Sequence, residues 1–174
     1  IQIEATSFTV SEPVSTYTIE PLIYKYALDN EKHILKEKYN ISEFNIKIIK
    51  LERIFIDKIF AAEFYYERKM YEDVAKHLYD ISVMIKNNSI KKMLKSRKEL
   101  NKLISYKRKE EEARIGGIKK DKEIKDFDYM KLKFNDELIT AFNKMQKIYV
   151  LDEESILTLE DIKNAIKTLL EIFK

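Results

Sequence analysis

The chain has 174 residues, enough for one well-packed domain or for one part of a larger enzyme, and too few for two full domains with separate cores. Apolar residues at 45% with charged residues at 36%, and eleven Tyr beside nine Phe, describe a soluble folded protein and not a disordered chain. The net charge is only +3, and zero cysteines exclude disulfides and thiolate chemistry and fit a reducing cytoplasm. His33 and His77 alone cannot build an all-histidine zinc site. No run of about 18 apolar residues is present, and the opening "IQIEATSFTV" has neither a basic leader nor an apolar signal core, so neither a membrane span nor an export signal is expected.

The first residue is Ile1 and not methionine, which leads us to expect the back end of a longer protein. In "IQIEATSF", Ile1, Ile3 and Ala5 alternate with Gln2, Glu4 and Thr6, the period of a half-buried strand. The β-branched run "VSTYTIE" predicts a second strand, Pro21 is placed to open a short helix through "LIYKYAL", and "NIKIIK" at 45–50 predicts a third short strand. Residues 29–44 are too mixed to assign to an element.

From Leu51 the apolar period becomes helical, with helices over about 51–68 and 71–87 predicted as an antiparallel pair and a strongly basic helix from Ser89 to about Lys109. The stretch "EEEARIGGIKKDKEIKD" holds the only two glycines within a charge run and reads as an exposed, mobile connection near 110–127. Asn135 and Thr158 are placed to cap two closing helices. Their apolar faces are Leu138, Phe142, Met145 and Tyr149, and Ile162, Ile166, Leu169, Leu170 and Phe173. The fold class expected is mainly α, with α+β character at the N-terminus: 1–50 as the end of an α/β core, then 51–174 as a bundle of five or six helices.

Lys58 stands out, because at about 100° per residue it falls within an apolar stripe of Leu51, Ile54, Phe55, Ala62 and Tyr65, with Glu52, Glu63 and Glu67 on the opposite side. A buried ammonium needs an anion or a route to water. It either snorkels or pairs with a carboxylate on a neighbouring helix, which geometry alone favours, or it faces a cleft and meets a phosphate. On the next helix Val74, Leu78, Ile81 and Ile85 form the buried face, and Asp73, His77 and Asp80 line its flank. That flank is either a helix-supporting pair or a metal ligand or base, Asp80, oriented by His77.

Residues 91–109 carry nine Lys or Arg against one Glu, a local charge of +8 that either tracks a nucleic-acid backbone through Lys91, Lys92, Lys95, Lys98 and Lys102 or is a solvated face. The pair Asp126 and Asp128 in "DFD" has the form of a metal-binding Asp-x-Asp, but a charged connection holds ligands poorly, so a solvated linker is the better account.

Taken in order, "IQIE", "SEP", "KLERIFIDKIFAAEFYY" and "KHLYDISVM" resemble the C-terminal half of the AbiEii/AbiGii toxin family of nucleotidyltransferases. Where that family has an "IKIE" strand, an "ERTFxxK" helix and an "RHxYDLxxL" helix, this chain has Glu4, then Glu52, Arg53, Ile54, Phe55 and Lys58, then Lys76 through Ile81. "FNKMQKIYV" and "TLEDIKNAI" are similar to the family's closing helices. The resemblance implies Lys58 at a nucleoside triphosphate, Asp80 as a residue needed for activity and Glu4 near a metal, and His77 and Asp73, on the flank beside Asp80, are read as supporting residues. It also implies Mg²⁺ and a nucleoside triphosphate as cofactors, an acceptor such as RNA or tRNA, and a cognate antitoxin. Ile54 stands where the pattern has Thr, Asp57 where it often has Glu, and Lys76 where Arg, whose bidentate contacts a lysine cannot copy, is usual.

The family's Gly-Ser followed by Asp-x-Asp belongs upstream, and no Gly-Ser pair occurs in this chain. The expected function is therefore the C-terminal portion of a nucleotidyltransferase toxin, inactive alone. The alternative is a non-catalytic helical module that binds RNA or an antitoxin. Lys58 and Asp80 should face one cleft together with Glu4.

Overall fold

Two stretches rich in β-branched and aromatic residues form antiparallel strands, β1 (Val14–Ile19) and β2 (Phe44–Ile49), in register from Val14 opposite Ile49 to Ile19 opposite Phe44. Between them lie α1 (Leu22–Lys25), with Pro21 at its N-cap, and α2 (Asp29–Tyr39), a helix in the stretch that the sequence left unassigned. α2 is closed by Asn40 in the left-handed region (φ 53°), a conformation that asparagine tolerates better than most residues. The structure, a computed structural model, describes residues 13–174, and these elements make one compact unit, 13–50. The strand expected at "IQIEATSF", and Glu4 with it, lies outside the described residues.

Residues 51–174 form the second unit, with α3 (Leu51–Tyr66), α4 (Tyr71–Met84), α5 (Asn88–Lys95), α6 (Arg97–Ala113), α7 (Asp136–Tyr149) and α8 (Leu159–Phe173). With eight helices and one two-stranded sheet among the described residues, the protein is mainly α. None of these helices is long and apolar enough to cross a membrane. α3 is the central element and packs against α4, α5 and α6, while the other side of α4 receives α7 and α8. Phe55, Ile56, Ile59, Phe60 and Ala62 on α3 and Val74, Ala75, Leu78 and Ile81 on α4 are buried, at about 1.5–3 kcal/mol for each large side chain.

The α3–α4 turn closes tightly, with Met70 N–H donating to Tyr65 O at 3.0 Å across Lys69 in the left-handed region, an end usually given to glycine. Asn135 accepts from Leu138 N–H at 2.9 Å, and Thr158 and Asp161 form a reciprocal capping box at α8. Both caps fall at the residues that the sequence indicated.

Three expectations are corrected. The basic helix is two helices, because Ser96 leaves the helical conformation and becomes the N-cap of α6, which runs on to Ala113. The segment near 110–127 is not simply exposed: Glu110, Glu111, Ile118, Ile124 and Phe127 are buried, and Phe127 meets Phe60 edge-to-face at 5.4 Å. Gly117 marks a tight backbone approach and not a loose linker, since a Cβ there would stand 2.1 Å from the carbonyl oxygen of Glu111. Tyr149, expected in the core, is 63% exposed.

Candidate functional site

α3 and α4 run antiparallel, so Tyr65 near the end of one meets His77 near the start of the other, and two turns back along α3 Lys58 meets Asp80. Lys58 Nζ lies 2.7 Å from Asp80 Oδ2, with the side chains 30% and 37% exposed. The lysine is therefore not in the deepest stripe of α3. It occupies the α4-facing edge, where its charge has both a partner and water. A pair this exposed contributes about 0–1 kcal/mol, too little to make it a determinant of the fold.

His77 stacks on Tyr65, with ring centroids 5.4 Å apart and planes 23° apart, and its Nδ1 is buried without a hydrogen-bond partner. Burial, and then the nearby Lys58 charge, push its pKa down to about 4, so the imidazole is neutral at neutral pH. No hydrogen bond joins His77 to Asp80 among the described residues, so the pair suggested by their spacing is replaced by a ring stack. Asp73 pairs with Lys76 at 3.3 Å on the exposed side of α4.

Asp80 also borders an open groove of about 670 Å³, together with Lys76, Tyr79, Met145, Tyr149 and Asp152. Tyr79 O–H donates to Ser155 O at 2.9 Å and ties α4 to the 3₁₀ turn Glu153–Ser155. Asp152 caps that turn by accepting from Glu154 N–H and Ser155 Oγ–H, each at 3.2 Å. The sequence placed Tyr79 in "HLYD" but gave no sign of the groove, whose other wall arrives some 70 residues later.

Glu63, expected on the solvent side of α3, is fully buried. Its carboxylate accepts from the Asp128 N–H at 2.9 Å and the Tyr129 N–H at 3.4 Å and meets Lys122 Nζ at 2.5 Å. Lys122 also lies 2.9 Å from Glu67 and 2.8 Å from Asp128. Burial raises the Glu63 carboxyl above the usual carboxylate range. Burial works against the Lys122 charge, yet its hydrogen bonds to Asp128, Glu63 and Glu67 carry its pKa above the usual lysine range. Asp128 is thus not part of a solvated linker, because its backbone N–H fastens a 3₁₀ turn, Asp128–Lys131, to Glu63 of α3 while its side chain pairs with Lys122 and Lys131.

A second internal cluster joins Arg53, Asp57, Lys107, Glu110 and Glu111. Arg53 lies 2.6 Å from Glu110, and Lys107 lies 2.8 Å from Glu111. The arginine of the "ER-F--K" pattern is therefore spent on holding α3 to α6.

The expected Mg²⁺ is not served by these residues. Glu63, Glu67 and Asp128 are the one set of three carboxylates close enough to share an ion among the described residues, and Lys122 already provides their counter-charge. Asp80 offers a single carboxylate, and Glu4 is outside the described residues.

Lys91, Lys92, Lys95, Lys98 and Lys102 are exposed on α5 and α6. Lys102 Nζ sits 5.8 Å from the Tyr106 ring centroid. Lys91 and Lys95, with Lys86, border a second groove of about 490 Å³ between α5 and α8.

The profile of the family described as "nucleotidyl transferase AbiEii toxin, type IV TA system" matches residues 1–168. The chain belongs to this family of nucleotidyltransferase toxins, whose type IV toxin–antitoxin setting implies an antitoxin partner and whose chemistry uses nucleoside triphosphates and divalent metal in general. No curated protein and no solved structure matches the chain.

Proposed function

We propose that this chain is the C-terminal portion of a cytoplasmic nucleotidyltransferase that moves a nucleotide from a nucleoside triphosphate to an RNA or tRNA acceptor. The observation that supports the reading is the 2.7 Å contact between Lys58 and Asp80, two residues from separate motifs brought together where Asp80 borders a groove. Lys58 is the triphosphate-binding cation. In the resting protein its ammonium is held by Asp80, and an arriving triphosphate takes over part of that contact, a compact charge suited to a phosphate oxygen.

The acceptor hydroxyl's oxygen then bonds to the α-phosphorus while its proton passes to Asp80, the bond to the β-phosphate breaks, and pyrophosphate leaves. Asp80, released from Lys58, is a carboxylate positioned to act on the acceptor side, and a neutral His77 braced on Tyr65 maintains the spacing of the two helices. Glu4 is assigned a place beside the metal on the resemblance of "IQIE" alone. No Gly-Ser pair occurs in the sequence, and this reading expects transfer to need the family's upstream motif.

The test is transfer of labelled nucleotide to RNA by the chain extended upstream, beside the 174-residue chain and the Lys58→Met and Asp80→Asn variants of the extended form. We expect transfer only from the extended form and its loss in both variants. Unchanged transfer by Lys58→Met would remove the triphosphate role. The second reading, a non-catalytic module that holds RNA or an antitoxin, draws on the row of exposed lysines. It predicts RNA binding that survives Lys58→Met and is lost when Lys95, Lys98 and Lys102 become Glu.

A further inference from the structure

The apolar surface of residues 51–174 is unevenly distributed. Ile148 (55% exposed), Tyr149 (63%), Leu151 (96%) and Ile156 (53%) all fall within nine residues, where α7 ends and the chain crosses to the Glu153–Ser155 turn. Scattered exposed apolar residues are ordinary, whereas a cluster of them beside a groove marks a binding surface. Tyr149 and Leu151 line the same groove as Asp80, with Met145 and Val150 adding to its apolar walls. Lys58 does not line it, so the groove and the Lys58 charge meet at Asp80.

The polar groups along the groove are few and chemically mixed. Lys76 stands with its Nζ 5.9 Å from the Tyr149 ring centroid, and the carboxylates of Asp80 and Asp152 and the hydroxyl of Ser155 lie along the rim. One cation against two carboxylates does not suit a second polyphosphate. A flat, uncharged, hydrogen-bonding ring does fit: it stacks on an exposed tyrosine, rests on Met145 and Leu151, and donates its exocyclic amine to a carboxylate. The groove is also fixed in place, since Tyr79 bonds to Ser155 O and Asp152 caps the turn.

We infer that the groove between α4 and the 149–155 segment receives the nucleobase of the incoming nucleoside triphosphate, stacked on Tyr149, while the triphosphate reaches Lys58 across Asp80. This rests on the proposed role of Lys58, and it adds a base-recognition residue, Tyr149, that the sequence indicated only as part of an apolar helix face. The rim acceptors favour bases that carry an exocyclic amine, so adenine and cytosine should bind better than uracil.

The test separates the two layers. Amide and methyl NMR spectra of the chain are followed during titration to millimolar ATP, CTP, UTP and inorganic tripolyphosphate. The same titrations are run on Tyr149→Ala, Tyr149→Phe and Lys58→Met, with folding checked from each spectrum. We expect ATP and CTP, but not tripolyphosphate, to shift Met145 and Leu151. We expect Tyr149→Ala to weaken ATP about ten-fold, on the scale of one lost stacking contact, with Tyr149→Phe near wild type and tripolyphosphate binding unchanged in both. Weakening of tripolyphosphate by Lys58→Met supports the phosphate role, and its absence overturns that role without reference to the groove. Equal ATP binding by Tyr149→Ala and wild type, or no shift of Met145 and Leu151 with any triphosphate, overturns the base site. Sensitivity to Tyr149→Ala of a short single-stranded RNA, but not of ATP, reassigns the groove to the acceptor strand and also overturns the proposal.

Discussion

Lys58 and Lys122 both meet carboxylates through α3, but with opposite arrangements. Lys122 is 19% exposed and has three acidic partners within 2.9 Å, one of them the fully buried Glu63, which also receives two backbone N–H groups. Lys58 is 30% exposed and has one partner, Asp80, which borders a groove. A saturated, buried charge cluster has no capacity left for a ligand, and its disruption leaves uncompensated charge in the interior. A single half-exposed pair contributes little to folding and can exchange partners.

The comparison breaks most readily on stability. Lys122→Met leaves the buried Glu63 without its cation and should cost about 3–5 kcal/mol in chemical denaturation, whereas Glu63→Ala leaves two amides without their acceptor but Lys122 still paired with Glu67 and Asp128, and should cost less. Lys58→Met should change stability by less than about 1 kcal/mol in the same experiment. Similar losses for the two lysines would show that Lys58 is structural.

A smaller effect is expected from pH. The folded His77 pKa, about 4, is below its usual 6.5, so between these values the unfolded chain binds the proton first. His77 therefore contributes stability that is fully present above about 6.5 and is lost as pH falls through about 4. The half-buried Asp57 and the buried Glu63, whose pKa values are raised, act in the opposite sense, with stability present at low pH and lost as pH rises. Comparing denaturation of wild type with His77→Phe, which keeps a ring on Tyr65, isolates the histidine: the variant should lose less stability on acidification. The smallest effect is electrostatic. Lys95, Lys98 and Lys102 changed together to Glu should lower the salt dependence of any RNA binding while leaving stability within about 0.5 kcal/mol. An unaltered salt slope would reject that surface.

Much of the helical unit was legible in the sequence because its helices are amphipathic and capped. Val74, Leu78, Ile81 and Ile85 are buried as their spacing indicates, and Asn135 and Thr158 cap where expected. The nearness of Lys58 and Asp80 was legible from motif order and from the short link between two helices. What periodicity could not show was any contact that depends on a distant partner. Glu63 reads as a solvent-facing residue until the amides of Asp128 and Tyr129, 65 and 66 residues away, supply its donors. Residues 114–127 read as a linker because their few large apolar side chains do not form a stripe, yet Ile118, Ile124 and Phe127 are buried while Ile115 is exposed. Tyr149 fits the apolar face of α7, but that helix ends there and leaves the ring beside the groove.

The charge beside His77 gives the most direct measurement of the central claim. Lys58 is one of the causes of its depressed pKa, so neutralising that lysine should raise it. The imidazole titration of the chain, followed by NMR with and without nucleoside triphosphate, should move upward from about 4 when the triphosphate engages Lys58. The same ligand should leave the already raised value of Lys58→Met unchanged. A His77 titration that ignores the triphosphate in the wild-type chain, at concentrations that saturate binding, would contradict the account.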